Sequence, residues 1–434
     1  MRRVICARAF LSTADQVLSS ASNFAVGVAA ARLAGPAGLG AYAFAFTLWS
    51  LLFTAHRALI TDPLVIYGDG LSSREALRLG MAAEVILGAL ASIPFAMTGL
   101  FLVALGHSAF GNALLALAPW LFVLLLQDYW RMAGFMVGRP GLALMNDLLF
   151  NITQAAALVF VITLGLHSLS GVVGAWGLGA MAGALLGYRQ LSVRPSIRGG
   201  GAFLRSRWAV SRWLLAESFT GAASLQTYLI VAGAILGPVG LGGLRAAQSL
   251  TGPTYVLVQA IGSVGFPEAS RAFTHEGWLG LRRVSWTVTA LSALGVGAIT
   301  CLVALAGNQF LRLAYGAQFA DYGPAATIAA LSVFILSLTL GPYMVLKVTQ
   351  NVSELFRIRL LCAAVTVLAA AALAGRWGVS GAALAGLCGS VTLAGGLFAV
   401  YRSRSRALYV PPTSRRLAEL SAHDPAPSRP GGTV

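Results

Sequence analysis

Apolar residues run through almost the whole chain, and polar residues appear as short interruptions rather than as one face of a strand-like alternation. Reading the apolar runs between Gly, Pro and charge clusters predicts twelve helices of bilayer-spanning length. Six lie near 11–33, 40–62, 80–104, 112–136, 142–165 and 170–188, and six near 212–236, 243–265, 284–306, 324–346, 357–375 and 379–401. The expected architecture is an all-α polytopic membrane protein with two six-helix lobes, residues 1–190 and 212–401, joined by a basic linker at 191–211. The tail, 402–434, carries five prolines among charges and too few apolar residues to pack, and is expected to be disordered.

Composition excludes a soluble fold. The 434 residues are 57% hydrophobic and 10% charged, with a mean hydropathy of +0.78, whereas soluble domains carry about 25% charged residues. Fifty glycines fit helices that approach closely in lipid. The net charge of +16, from 30 basic against 14 acidic residues, reads in so apolar a chain as a topology signal rather than a nucleic-acid surface. The N-terminus, the even-numbered helix ends and the tail collect 24 of the 30 basic residues, six of them between Arg189 and Arg212, while the opposite-side loops hold only Arg312 and Arg376. Both termini are therefore expected in the cytoplasm. Arg2 and Arg3 before an apolar run mimic a signal peptide, but Asp15, Gln16 and Asn23 interrupt the run and indicate a retained first helix. Arginine outnumbers lysine 29 to 1, which suggests a GC-rich bacterial genome and hence the bacterial inner membrane.

An internal repeat organises the chain. AGPAGLGAY at 34–42 and LGPVGLGGL at 236–244 share five of nine positions at an offset of 202, each at the junction of the first two helices of its half. The same offset carries Asp15 onto Glu217, and Pro63 and Pro267, expected to end helices 2 and 8, fall within two residues of register. Six helices per half make the halves enter the membrane in the same sense, related by an axis along the bilayer normal, with substrate between them near the midplane.

Ionisable residues inside the spans cost about 2.5 to 3.5 kcal/mol at a helix centre and normally face a cavity or a partner. Asp15, Ser19 and Asn23 form one stripe on helix 1, as suits either helix packing or a polar cavity. Asp128 and Arg131 at i, i+3 can neutralise each other, and across the Gly138-Arg139-Pro140-Gly141 hairpin they lie level with Asp147 and Asn151, so a local clamp is the expected reading there. Arg57 and Arg245, in the first hairpins of the two lobes, have no sequence-local acid and would suit a phosphate, which guanidinium grips with two parallel hydrogen bonds; the bland reading is that each snorkels to a membrane face. No GxxxxGK[ST] is present, the five histidines are scattered, and Cys6, Cys301, Cys362 and Cys388 stand singly among apolar neighbours. No cofactor, metal site or enzymatic activity is expected.

Several segments resemble the polysaccharide-transporter branch of the multidrug/oligosaccharidyl-lipid/polysaccharide exporter superfamily. They are Asp15 to Tyr42, ITDPLVIYG at 60–68, LQDYWRMAGFMVGRPGLALMNDLLF at 126–150, VGFPEASR at 264–271 and LRLAYGAQFADYGPAA at 311–326. The resemblance implies a V-shaped, two-lobed flippase that moves a polyprenyl-pyrophosphate-linked saccharide to the outer leaflet, its headgroup held by cationic cavity residues. Arg57 and Arg245, and more weakly Arg32, are the positions that match. Asp15, Asn23, Asp128, Arg131, Asp147 and Glu217 are the candidates for a polar cavity or ion coupling. The implied partners are the lipid-linked saccharide, membrane lipid, and a glycan polymerase and glycosyltransferases. Two other readings compete: an ion-coupled small-molecule antiporter of the same fold, and a non-transporting scaffold for glycan assembly.

Overall fold

A computed structural model describes residues 2–67, 73–166, 168–194, 197–349 and 352–408. The described residues are helical nearly throughout. In order they form α1 (Arg2–His56), a π-turn at Arg57–Thr61, α2 (Asp62–Tyr67), α3 (Ser73–Ala104), α4 (Ser108–Leu117), α5 (Leu121–Met136), α6 (Pro140–Thr163), α7 (Leu169–Leu191), α8 (Ile197–Ser249), α9 (Gly252–Tyr315), α10 (Gly323–Leu338), α11 (Leu340–Val348) and α12 (Val352–Leu408). The twelve expected spans follow these helices, 142–165 running two residues past the end of α6 and 112–136, 243–265 and 324–346 each crossing a short break between two helices.

Helices such as the 64-residue α9 are too long to be straight. At 1.5 Å per residue, α9 would extend for about 95 Å against a hydrocarbon core of about 30 Å. Glycine breaks it at Gly277 (φ 65°), and Gly35, Gly237 and Gly378 break α1, α8 and α12 at similar positive φ. Positive φ is open to glycine because it has no Cβ to clash with the following carbonyl. Among the described residues nine helices are long and apolar enough to cross a membrane, and the breaks divide the longest into separate passes.

The breaks at Gly35 and Gly237 match in geometry as well as in sequence. Their φ/ψ values are 67°/−169° and 66°/−174°, 202 residues apart. The arms that follow cross each other in backbone contact: a Cβ built on Gly40 would overlap the carbonyl of Pro238, and one on Gly242 would overlap the carbonyl of Pro36. Gly40 and Gly242, like Pro36 and Pro238, are themselves 202 residues apart, so the contact is self-complementary about a pseudo-two-fold axis.

Core packing gives the molecule its V shape. One cluster, including Leu39, Tyr42, Leu114, Leu244, Leu311, Phe319 and Ala382, joins both lobes at the end that holds the Gly40–Gly242 crossing. At the other end the cores are separate, with Ile60, Leu77, Tyr129 and Phe203 in the first lobe and Ala269, Leu281, Met344 and Val345 in the second. The lobes therefore meet at an apex and part toward the end where the chain begins.

Three expectations change. Pro63 and Pro267 do not end helices: Pro63 follows the π-turn, whose wider Asp62 N–H to Arg57 carbonyl bond takes up the register fault near a proline. Pro267 lies inside α9, which runs on to Gly277. A membrane helix keeps such prolines because neighbouring groups satisfy the freed carbonyl. The basic segment 191–211 is helical from Ile197 as the start of α8, and Phe203 packs it against the first lobe. At the C-terminus α12 continues to Leu408, because residues 402–408 extend an already formed helix; 409–434 lie outside the described residues.

Candidate functional site

The first lobe encloses a cavity of about 250 Å³ between α1, α5, α6 and α7. Its apolar walls include Phe46, Trp49, Phe53 and Trp176, and its polar side carries Asn23, Arg57, Gln127, Asp128, Arg131 and Asp147. The aromatic wall is a packed unit, with Trp176 5.8 Å from Trp49 and 6.0 Å from Phe46 between ring centroids.

The charges form an alternating chain. Arg57 donates through Nε to Asp128 Oδ2 at 3.0 Å and through Nη2 to Asp128 Oδ1 at 2.8 Å, a bidentate pair. Arg131 lies 3.7 Å from Asp128 and 2.8 Å from Asp147. Gln127 donates to both Asn146 and Asp147 at 2.8 Å. The hairpin clamp expected from sequence is present, but Arg57 is part of it: across 71 residues of sequence it takes the carboxylate expected to serve Arg131. Arg57 is thus not an unpaired cation. Its side chain nonetheless remains 29% exposed toward the cavity and stacks over Phe53 at 4.7 Å.

Sequence reading missed the pair behind it. His56 Nε2 bonds Glu84 Oε2, and both side chains are almost wholly buried. This bond ties the start of the π-turn to α3 and fixes the turn that aims Arg57 at the cavity. Glu84 in the middle of an apolar span was the available signal, since a lone buried acid requires a partner.

Arg245 stands apart. It comes from the second lobe near the apex, and its Cζ lies 5.3 Å above the ring of Phe46, a wall residue of the first-lobe cavity. Among the described residues no carboxylate lies within ion-pair distance of it. Arg32 is elsewhere: it donates to the carbonyl of Ala314 at 2.9 Å and to that of Leu313, capping the C-terminal end of the α9 arm that follows Gly277. A helix C-terminus has unsatisfied carbonyls and a partial negative charge, which attract a guanidinium. Arg32 therefore latches the lobes at the apex and does not line the cavity. The side chains of Asp15 and Glu217 lie outside the described residues. Among those described, no three His, Cys, Asp or Glu residues gather as a metal site would require.

No protein-family model and no curated protein sequence matches the chain. Solved structures do. An inward-facing multidrug resistance MATE family transporter of the MOP superfamily is similar over 91% of this chain and 95% of its own, at 15% identity and a TM-score of 0.77. The chain shares the fold of that structure. The lipid II flippase MurJ in an inward closed conformation is similar over 90% of this chain and 86% of its own, at 14% identity and a TM-score of 0.66. An outward-facing MATE transporter of the same superfamily scores 0.51 at 13% identity, over 92% of this chain and 95% of its own. The two-lobed, multi-pass helical architecture expected from sequence is what the chain adopts.

Proposed function

We propose that the protein is a flippase for a polyprenyl-pyrophosphate-linked oligosaccharide, working by alternating access in the bacterial cytoplasmic membrane with both termini in the cytoplasm. The observation that carries this reading is the charge balance of the cavity. Asp128 and Asp147 are each committed to a guanidinium, while Arg245 stands over the ring of Phe46, a cavity-wall residue, with no carboxylate within ion-pair distance among the described residues. The cavity lining balances two arginines, Arg57 and Arg131, against two carboxylates, and Arg245 on the ring of Phe46 adds a third cation at its wall, which favours an anionic headgroup over a cationic drug. A phosphate entering beside Arg57 would exchange one anionic partner for another, which keeps the cation compensated throughout. The likeness to an inward-facing transporter, together with joined cores at the apex and separate cores at the other end, supports a cytoplasm-open state.

The test is deletion of the gene in its host, with mass spectrometry of polyprenyl-linked saccharides and measurement of surface glycan. Accumulation of a fully built lipid-linked unit with loss of surface glycan supports the flippase. Unchanged lipid pools with new sensitivity to cationic toxins would replace it with the antiporter, which the MATE likeness also supports.

A further inference from the structure

The second lobe has a cavity of its own. It holds about 190 Å³ between α9, α10, α11 and α12, and is walled chiefly by apolar groups such as Leu336, Leu340, Leu393 and Leu397. Tyr343 and Arg359 stand on its wall, with Arg359 Nη2 donating to the Tyr343 hydroxyl oxygen at 3.2 Å and its Cζ 5.7 Å from the ring. Lys347, the sole lysine of the chain, brings Nζ to 5.0 Å from the same ring and 5.7 Å from Phe266. Two cations therefore share one tyrosine.

Their lack of an acid is local. At the same end of this lobe Arg271, Arg283 and Arg357 each lie within 4 Å of a glutamate: Glu268, Glu276 and Glu354. Residues 250–408 contain only one other acid, Asp321, which follows α9 near the apex. Among the described residues neither Arg359 nor Lys347 has a carboxylate within ion-pair distance. Two cations on one tyrosine repel each other, and an anion bound beside them would relieve that repulsion. Because Tyr343 accepts from Arg359, its own proton is free to be donated. Arg359 and Tyr343 thus present donors on the wall of an apolar cavity, with Lys347 on the ring of the same tyrosine, the arrangement that takes an anion carrying a hydrocarbon chain.

We infer that this cavity binds a lipid phosphate, the phosphate on Arg359, Lys347 and Tyr343 and the chain among Leu336, Leu340, Leu393 and Leu397. The site is separate from the first-lobe cavity and its occupancy does not depend on which substrate the protein moves. Two sources offer the same chemistry: a phospholipid of the surrounding leaflet and a polyprenyl phosphate.

Native mass spectrometry of the purified full-length protein tests this, with phosphatidic acid as probe, diacylglycerol as the phosphate-free control and inorganic phosphate as the chain-free one. Phosphatidic acid should bind and neither control should. Arg359→Gln and Lys347→Gln should each weaken binding about tenfold or more, as loss of a charge-assisted hydrogen bond predicts. The charge-keeping Lys347→Arg and the distant Arg402→Gln should bind as the parent protein does. Leu397→Trp should exclude the chain, with melting temperature without lipid checking that each variant is folded. Competition by a polyprenyl phosphate would identify the occupant as the carrier lipid, and its absence would identify a leaflet phospholipid. Equal binding of diacylglycerol, parent-like binding by the two glutamine variants, or inorganic phosphate binding as tightly as the lipid would overturn the site. None of these outcomes bears on whether a saccharide is flipped.

Discussion

The apex crossing makes a quantitative prediction about alternating access. Opening the apex requires the arms after Gly35 and Gly237 to separate, and in the described state they touch backbone to backbone at Gly40 and Gly242. In Gly40→Ala the added Cβ would stand 2.7 Å from the Pro238 carbonyl carbon and closer still to its oxygen; in Gly242→Ala it would stand 3.0 Å from the Pro36 carbonyl carbon. Carbon needs about 3.3 Å from a carbonyl oxygen, so the arms must part by more than about 1 Å. Neither obstacle is a flexible side chain that could rotate aside. Overpacking of this kind costs about 1–3 kcal/mol, and because the contact is released when the apex opens, the equilibrium should shift about 5- to 150-fold toward the apex-open state. Spin labels at Arg139→Cys and Ser353→Cys, on the parting ends of the two lobes in a background without the native cysteines, would report the change as a gain in the short-distance population. Gly174→Ala, where a Cβ meets nothing within 4 Å, is the control. If the distance distribution of folded Gly40→Ala and Gly242→Ala matched that of the control, the crossing would not be the gate.

Other consequences follow from the same geometry. Arg32→Gln should shift the distances in the same direction and by less, since it removes a cap on exposed carbonyls rather than adding a clash; an unchanged distribution would remove the latch. Asp128→Ala and Arg57→Ala should each lower stability by about 1–3 kcal/mol, below the about 3–5 kcal/mol of a fully buried pair because Arg57 is partly exposed, and thermal melts should show the double variant less destabilised than the two losses added. Additive losses would mean that the bidentate pair is not a stabilising unit. Glu84→Ala should cost the full about 3–5 kcal/mol, leaving His56 buried without its partner, and a wild-type melting temperature would contradict the assigned contact. Arg245→Ala should reduce flipping in reconstituted vesicles with expression intact, and Arg245→Lys should recover part of it; full flipping by Arg245→Ala would remove the cationic apex from the mechanism. Deleting 409–434 should leave transport unchanged, whereas its loss would favour a scaffold.

The spans were legible because hydrophobic run length is a local property, set by bilayer thickness alone. The repeat was legible because Gly-Pro breaks leave a signature at fixed spacing, and Gly35 and Gly237 bear it out in nearly identical dihedral angles. The hairpin polar cluster was half legible. Asp128, Arg131 and Asp147 could be grouped by helical spacing and hairpin register, yet the carboxylate of Asp128 went to Arg57, 71 residues away, because the π-turn locked by His56 and Glu84 presents that guanidinium in bidentate reach. Sequence distinguishes an arginine in a span from one in a loop, but not a cavity arginine from a latch. Arg245 and, more weakly, Arg32 both read as headgroup candidates, and only the packing of the α9 end beneath Arg32 and of Phe46 beneath Arg245 separated them. Periodicity and composition are sums over neighbours along the chain, whereas charge pairing depends on which helices lie side by side in space, and that is decided only when the lobes have packed.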